Sequence, residues 1–131
     1  MKIAVIGGVL STAILIDKLN YHKFKDVKIW GYKPKNLANV SCWKDLNNLS
    51  KKYNYPFLNF TKVQECFDTL KEYKPDYLFV VGLSQIIPKH IIDISKYGSI
   101  GFHPTALPKG RGRAPIAWLV LEENKGAASF F

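Results

Sequence analysis

Cysteine is scarce in this sequence, and its two copies are not placed for structural chemistry. Cys42 and Cys66 are too few for a disulfide scaffold and lack the paired spacing of a metal site. Cys66 lies on a predicted apolar helix stripe without an evident activating base, which favours a core position over a nucleophile. We therefore expect reduced thiols, no bound metal ion and a cytoplasmic location.

Hydrophobic runs long enough for a membrane span are also missing. The apolar stretch from Ile3 to Ile16 looks at first like a signal peptide. It is too short to cross a bilayer, and no small-residue cleavage site follows before Asp17 and Lys18. We therefore expect no association with a membrane.

Blocks of like charge are absent, although the chain is basic. It has 19 lysines and arginines against 10 acidic residues, a net charge of +9. Scattered lysines are typical of a solvated surface, whereas nucleic-acid binding needs clustered charge. A nucleic-acid partner is therefore not expected, and His22 and His90, which lie among lysines, are expected on this surface.

The remaining composition is that of one ordered domain. The chain has 131 residues, of which 47% are hydrophobic and 14% aromatic. This is enough to bury a core and excludes disorder as a description of the whole. No linker or internal repeat divides the sequence, so a single domain over residues 1–131 is predicted.

Five apolar segments are predicted strands, separated by helical patterns. They are Lys2–Gly7, Val27–Tyr32, Pro56–Phe60, Asp76–Gly82 and Ser99–His103. Asp76–Gly82 is apolar without alternation, as expected of a strand covered on both faces, and is therefore placed at the centre of the sheet. The alternation of strand and helix predicts an α/β domain with a mainly parallel sheet flanked by helices.

The first two helices are predicted from their caps and apolar periodicity. One begins near Ser11 or Thr12, either of which is a suitable cap. A polar loop is expected at Lys35–Val40, and Ser41 then precedes a helical pattern that includes Trp43.

The later helices carry clearer signals. Thr61 and Gln64 form a capping-box pattern ahead of the third helix. Its apolar stripe consists of Val63, Cys66, Phe67 and Leu70. Another helix is predicted within Ala114–Asn124, where Trp118 is interpreted as a packing residue rather than a stacking platform.

A glycine turn follows the first strand. Gly7 and Gly8 lead directly into a helix, an arrangement that points helix N–H groups at a crevice. The pattern is not GxGxxG, so a dinucleotide fingerprint is not supported. A phosphate-binding turn and a turn needed only for close packing both remain open.

The segment Gly101–Pro115 is the strongest candidate site. His103 ends a predicted strand and is followed by a loop rich in proline and glycine, as when a parallel sheet presents a reactive side chain at its carboxyl edge. Arg111 and Arg113, the two arginines of the chain, lie in this loop. A guanidinium group is suited to clamping a phosphate or a carboxylate, which are both plausible ligands here.

This loop resembles a known signature. His103-Pro104, Leu107-Pro108 and Arg111-Gly112-Arg113 resemble the loop of the folate-dependent formyltransferases, most closely the sugar N-formyltransferases and methionyl-tRNA formyltransferases. The order of the preceding elements agrees, so the resemblance covers nearly the whole chain. Gly101 stands where the family usually has an asparagine, and the family's aspartate would fall beyond Phe131.

The resemblance implies a Rossmann-like domain and a reaction. The expected reaction is transfer of a formyl group from 10-formyltetrahydrofolate to the amine of a nucleotide-linked amino sugar. We expect weak or no activity, because the family's aspartate would fall beyond Phe131 and because Gly101 has no side chain to share the oxyanion. Loss of one oxyanion donor alone typically costs about 100 to 1000-fold in rate. The alternatives are a non-catalytic folate or nucleotide binding module and an enzyme like methionyl-tRNA formyltransferase.

The resemblance also implies site residues. Proton transfer and oxyanion stabilisation fall to His103, since the pKa of histidine lies near neutrality. The implied cofactor-binding residues are Leu83, Gln85, Ile86, Ile87 and Leu107. The implied substrate-binding residues are Lys109, Arg111 and Arg113. For the loop after the central strand, a buried linker whose isoleucines cover the sheet end remains an equal alternative.

The last residues, Ala127–Phe131, are interpreted as the start of a sixth strand. An exposed Phe130-Phe131 pair leaves a hydrophobic sheet edge available for pairing. We therefore expect either a domain truncated after the start of this strand or a homodimer in which a second copy covers the edge.

Overall fold

The sheet is built from the apolar segments that the sequence pattern predicts as strands. The strands are β1 (Ile3–Gly7), β2 (Val27–Tyr32), β3 (Phe57–Phe60), β4 (Tyr77–Val80), β5 (Gly98–His103) and β6 (Ser129–Phe130). In this computed structural model, which describes residues 1–36, 40–123, 126 and 128–131, they form one sheet in the order β3-β2-β1-β4-β5-β6. The first five are parallel to one another, and β6 runs antiparallel to β5. The predicted mainly parallel α/β sheet is confirmed.

Helices connect the parallel strands and cover the sheet. They are α1 (Leu10–Tyr21), α2 (Asn47–Tyr53), α3 (Phe67–Tyr73, preceded by a 3-10 turn at Val63–Cys66), α4 (Lys89–Ile92) and α5 (Pro115–Leu121). None of these helices combines the length and apolar character needed to cross a bilayer.

Buried side chains lie on both faces of the sheet. On one face, strand residues pack with α1 and the start of α2; the buried members are Ile3, Val5, Ala13, Ile16, Leu19, Val27, Ile29, Leu46 and Tyr55. On the other face the buried members are Ala4, Ile6, Trp30, Phe60, Val63, Cys66, Leu70, Leu78 and Ile91. Strand β1 supplies residues to both clusters and pairs with β2 and β4, so it lies at the centre of the sheet. Strand β4 lies beside it, which confirms the central position predicted for Asp76–Gly82.

Two helix starts differ from the sequence prediction. Helix α1 begins at Leu10, one residue before the predicted caps. The segment after Ser41 is not helical: Trp43 forms a β-bridge with Val9, and its indole donates to the Tyr32 carbonyl at 2.8 Å. Local periodicity could not reveal this pairing across the chain, and α2 starts only after Leu46. Positions 37–39 of the predicted polar loop lie outside the described residues.

The predicted capping box of the third helix is displaced by one residue. Glu65, not Gln64, accepts the backbone amides of Thr61 and Lys62 at 3.0 and 3.1 Å. These two bonds lower the pKa of the Glu65 carboxyl. Gln64 instead lies 3.2 Å from the ring of the exposed His90. The apolar stripe itself is confirmed, since its members are buried or half-buried.

The packing role predicted for Trp118 is wrong. Helix α5 has no buried side chain, and Trp118 is 57% exposed. Strand β6 confirms the predicted sixth strand, and Phe130 and Phe131 are exposed beside it. Asn124 and Ala127, which the predicted helix and strand included, lie outside the described residues. The homodimer through this edge stays a prediction.

The two cysteines have opposite environments. Cys42 is exposed, whereas Cys66 is buried in the second core cluster, as predicted. Burial, followed by the nearby Glu65 carboxylate, raises the pKa of the Cys66 thiol to about 12. At neutral pH this thiol is protonated and unreactive, because the thiolate is the nucleophile.

A thiol reagent such as dithionitrobenzoate should therefore release one equivalent from the native protein, at Cys42. A second equivalent should appear only in denaturant, when Cys66 becomes accessible and its pKa returns to the ordinary range. Cys42→Ser should abolish the native reaction. Rapid native labelling of the Cys42→Ser variant would contradict the buried assignment of Cys66.

Candidate active site

The site lies at the carboxyl edge of the parallel strands. The strand order reverses between β1 and β4, so the connections on either side diverge and leave a crevice outside the strand ends. His103 is the last residue of β5 and is half-buried, with its ring at this edge rather than within the core. The prediction that a strand end delivers this imidazole to the sheet edge is confirmed.

The His103 ring is held by the loop that follows it. Its Nε2 lies 2.9 Å from the carbonyl oxygen of Gly110. A carbonyl only accepts hydrogen bonds, so Nε2 carries the hydrogen in this contact. In the neutral ring Nδ1 then keeps its lone pair and is the basic nitrogen.

Thr105 closes the same loop from inside. It is only 2% exposed, and its hydroxyl contacts the carbonyls of Lys109 and Gly110 at 3.1 and 3.2 Å. The Gly110 carbonyl therefore accepts from both His103 and Thr105. Sequence reasoning missed Thr105, because a threonine among prolines gives no local signal that its hydroxyl is buried.

Ser129 ties this loop to β6. Its hydroxyl donates to the Thr105 carbonyl at 2.8 Å and accepts from the Leu107 amide at 3.1 Å. This contact joins residues more than twenty positions apart and was also missed. It fixes the half-buried Leu107, a predicted cofactor residue, beside the end of β5.

Glycine is required at position 110. The residue has φ +65°, and a Cβ there would lie 2.8 Å from the Thr105 Cγ2. Only a residue without a side chain lets the backbone turn and approach Thr105 this closely. The segment Lys109–Arg113 thus has two features: its backbone orients the His103 imidazole, and its side chains carry positive charge.

The loop after β4 has backbone groups free for a ligand. From Gly82 to Ile87, no backbone N–H or C=O bonds to another described residue of the chain. The Gln85 side chain instead fixes the loop, accepting from the Val63 amide and donating to the Thr61 carbonyl, both at 2.8 Å. Unpaired backbone groups are rare unless water or a ligand pairs with them.

The other predicted cofactor residues of this loop divide between packing and exposure. Leu83 and Ile87 are half-buried against the second core cluster, which fits the alternative of a cover for the sheet end. Ile86 is 93% exposed and covers nothing. The loop therefore combines an anchored base with an exposed apolar tip.

The predicted substrate-binding residues are not brought together. Arg111 lines a cavity of about 300 Å³ with Gly110, Trp118 and Glu122. Arg113 lines a different cavity, of about 320 Å³, beside Tyr32 and residues that follow β2. Both arginine side chains and that of Lys109 are exposed.

The glycine turn after β1 is occupied by the protein itself. The Thr12 hydroxyl accepts from the Gly8 and Val9 amides at 3.1 and 3.3 Å and donates to the Val81 carbonyl at 2.6 Å. A Cβ on Gly7 would lie 2.1 Å from that carbonyl. These contacts favour the packing interpretation of the turn over phosphate binding.

Gly101 makes room for an aromatic ring. A Cβ at this buried position would lie 2.5 Å from the ring of Phe131, whose backbone also pairs with Gly101. The place of the asparagine side chain expected from the resemblance is thus filled by Phe131.

Within the described residues, no group of three or more His, Cys, Asp or Glu is arranged to hold a metal ion.

Sequence comparison identifies relatives of known class. The profile of the formyl transferase family matches residues 1–127. The methionyl-tRNA formyltransferase of Clostridium botulinum is 34% identical over 132 residues, covering 95% of this chain and 42% of that protein. That of Clostridioides difficile is 35% identical over 103 residues, covering 76% and 33%. The chain spans less than half the length of these curated relatives.

Solved structures share the fold. Phosphoribosylglycinamide formyltransferase from Bacillus halodurans matches with a TM-score of 0.73 and 14% identity, covering 99% of this chain and 70% of that chain. The sugar 3N-formyl transferase WlaRD, crystallised in the presence of dTDP and 5-N-formyl-THF, matches with a TM-score of 0.66 and 17% identity, covering 99% and 45%. The Rossmann-like formyltransferase fold expected from the resemblance is confirmed.

Thr105→Val should loosen the loop while keeping its shape, because valine matches threonine in size but cannot donate to the two carbonyls. Loss of this buried hydrogen bond should lower the free energy of unfolding by about 1–2 kcal/mol and speed amide exchange across residues 105–112. Thr105→Ser, which keeps the hydroxyl, should retain most of the free energy of unfolding and most of the protection from amide exchange. Denaturant unfolding and exchange mass spectrometry that found Thr105→Val equal to the unmodified protein would contradict the clamp.

Proposed function

The chain belongs to the formyl transferase family, and we propose that it transfers a formyl group from 10-formyltetrahydrofolate to the amine of a nucleotide-linked amino sugar. One observation carries the proposal: the His103 imidazole stands at the open sheet edge with Nε2 bound to the Gly110 carbonyl. The reaction needs a group that accepts and returns a proton near neutral pH, and an oriented imidazole supplies it.

The folate donor is proposed to bind at the loop after β4. A pterin ring has hydrogen-bond donors and acceptors along one edge, and the backbone groups from Gly82 to Ile87, which bond to no other described residue, are available to pair with it. Ile86 and Leu107 offer apolar surface for the ring faces. We also propose a cytoplasmic location, which the two free cysteines favour.

The chemistry follows from the ring orientation. The neutral amine attacks the formyl carbon, a C–N bond forms and the carbonyl oxygen becomes an oxyanion. Nδ1 of His103 takes the proton lost by the amine, and the imidazolium charge stabilises the oxyanion beside it. When the intermediate collapses, the bond to folate N10 breaks and this nitrogen receives the proton, which leaves tetrahydrofolate and a formamide.

The Gly110 carbonyl has a defined role in this reaction. It accepts the Nε2 hydrogen in both protonation states of the ring, so the imidazole need not turn during the reaction. Orientation of this kind is what a third group provides to a catalytic histidine. His103 is thus the catalytic residue, whereas Thr105 is a positioning residue.

Methionyl-tRNA is the second candidate acceptor. It is favoured by the curated relatives, which are methionyl-tRNA formyltransferases. The sugar acceptor is preferred because the two cavities near the loop, about 300 and 320 Å³, are of a size for small ligands. The lysines also form no block that would mark a nucleic-acid footprint.

His103→Ala should lower formyl transfer by at least about 100-fold, the usual scale of general acid–base catalysis, while folate binding persists. Mass spectrometry would follow the formylated product from a UDP-linked and a dTDP-linked amino sugar and from methionyl-tRNA. Calorimetry with 5-formyltetrahydrofolate would report binding separately. His22→Ala, which removes an exposed histidine on α1's end, is the matched control.

An unchanged rate in His103→Ala would overturn the catalytic assignment. Transfer to methionyl-tRNA alone would replace the sugar acceptor with the second candidate. Folate binding without transfer to any acceptor would instead support a non-catalytic binding module.

A further inference from the structure

A cavity separate from the His103 ring opens between the ends of several strands. It has a volume of about 320 Å³, and its polar lining includes Tyr32, Lys35, Asn36, Thr61, Ser84 and Arg113. The residues come from four connections, those after β2, β3, β4 and β5. Of them only Arg113 was expected from the sequence to contact a substrate.

Arg113 reaches this cavity from a strand that is not adjacent to β2 in the sheet. Strands β5 and β2 are separated in the sheet by β4 and β1, a distance of about 14 Å at ordinary strand spacing. The loop after β5 crosses this distance, so that Arg113 and Lys35 line the same cavity. The cavity therefore lies over the reversal of strand order, where open α/β sheets bind their ligands.

The lining is complementary to an anion. Two cationic side chains, Lys35 and Arg113, and the Ser84 hydroxyl line it, and no Asp or Glu of the described residues does. The Thr61 hydroxyl, also in the lining, already donates to the Lys33 carbonyl at 3.3 Å. Guanidinium and ammonium groups with hydroxyl donors are the usual partners of phosphate oxygens.

The Glu65 carboxylate, whose charge interacts with that of Lys35, is already engaged. The Glu65 carboxylate accepts the amides of Thr61 and Lys62, and it does not line the cavity. The charge of Lys35 reaches it only as a minor influence, after these amides and Lys62. Lys35 is thus left to interact with a ligand.

An aromatic surface adjoins the cations. The ring of Tyr32 is half-buried and rests against Phe60 with their centroids 5.7 Å apart, so its position is supported from below. A rigid aromatic ring is suited to packing against a sugar or a base. The volume of about 320 Å³ is in the range of small-ligand sites.

We propose that this cavity binds the diphosphate of the acceptor substrate, with Lys35 and Arg113 as the phosphate clamp and Tyr32 beneath the adjoining ring. The identification of the phosphate with the acceptor rests on the proposed function; the binding of a phosphate group rests on the cavity alone. Arg111, in the other cavity, is not part of the clamp.

The test is calorimetric titration of the full chain with uridine diphosphate and with inorganic pyrophosphate, without folate. Arg113→Gln and Lys35→Gln should each weaken binding by about tenfold or more, the scale of a charge-assisted hydrogen bond. Lys33→Gln, the same charge change two residues from Lys35 and outside the cavity, should change affinity less than twofold, as an order-of-magnitude expectation for an exposed charge. Tighter binding of uridine diphosphate than of pyrophosphate would support the role of Tyr32.

Three results would overturn the proposal: no binding of either probe at millimolar concentration, equal losses for Arg111→Gln and Arg113→Gln, or equal losses for Lys33→Gln and Lys35→Gln. Circular dichroism of each variant confirms that it is folded. Because no formyl transfer is measured, diphosphate binding that depends on Arg113 would keep the site even if the proposed reaction failed. His22→Ala, at an exposed position outside the cavity lining, should bind both probes as the unmodified chain does.

Discussion

The candidate site depends on one backbone oxygen, the carbonyl of Gly110. It accepts from the His103 ring and from the Thr105 hydroxyl, and so joins the end of β5 to the far side of the loop that follows. A carbonyl cannot donate, so the contact also decides which ring nitrogen carries the hydrogen. Without it, the imidazole at the end of β5 would have no hydrogen-bond partner among the described residues.

The sheet supplies the position of this contact. Five parallel strands end at one edge, and the reversal of strand order opens a crevice there. The Gln85 side chain anchors the loop after β4, whose backbone groups from Gly82 to Ile87 bond to no other described residue. The loop after β5 spans the crevice and separates its two arginines into different cavities. In the proposed function, different segments of this one edge orient the imidazole, bind the formyl donor and bind the acceptor.

Much of the fold follows from local sequence patterns. Apolar runs predicted the strands. The run at Asp76–Gly82 predicted a central strand, because a strand that is covered on both faces does not alternate between polar and apolar residues. The position of His103 at the sheet edge was predicted because the strand pattern stops at that residue. The helix caps were less accurate, since Gln64 and Glu65 are equally suitable by type and only the backbone geometry chooses between them.

The features that sequence could not predict depend on distant partners. Thr105 and Ser129 bond to backbone groups, which have no sequence signature, and the second lies on another strand. Trp43 leaves its predicted helix because Val9 pairs with it across the chain. The arginines are two residues apart yet line different cavities, and Gly112 between them has φ +112°, which favours glycine.

The most direct test of the central claim is the tautomer of His103, measured from the side-chain ¹⁵N shifts in a long-range ¹H–¹⁵N spectrum at a pH where the ring is neutral. The chain has three histidines, and the His103→Ala variant assigns the signal. We expect a protonated Nε2 and an unprotonated Nδ1, in a single population. A signal with the hydrogen on Nδ1, or one averaged between the two nitrogens, would contradict the role of the Gly110 carbonyl.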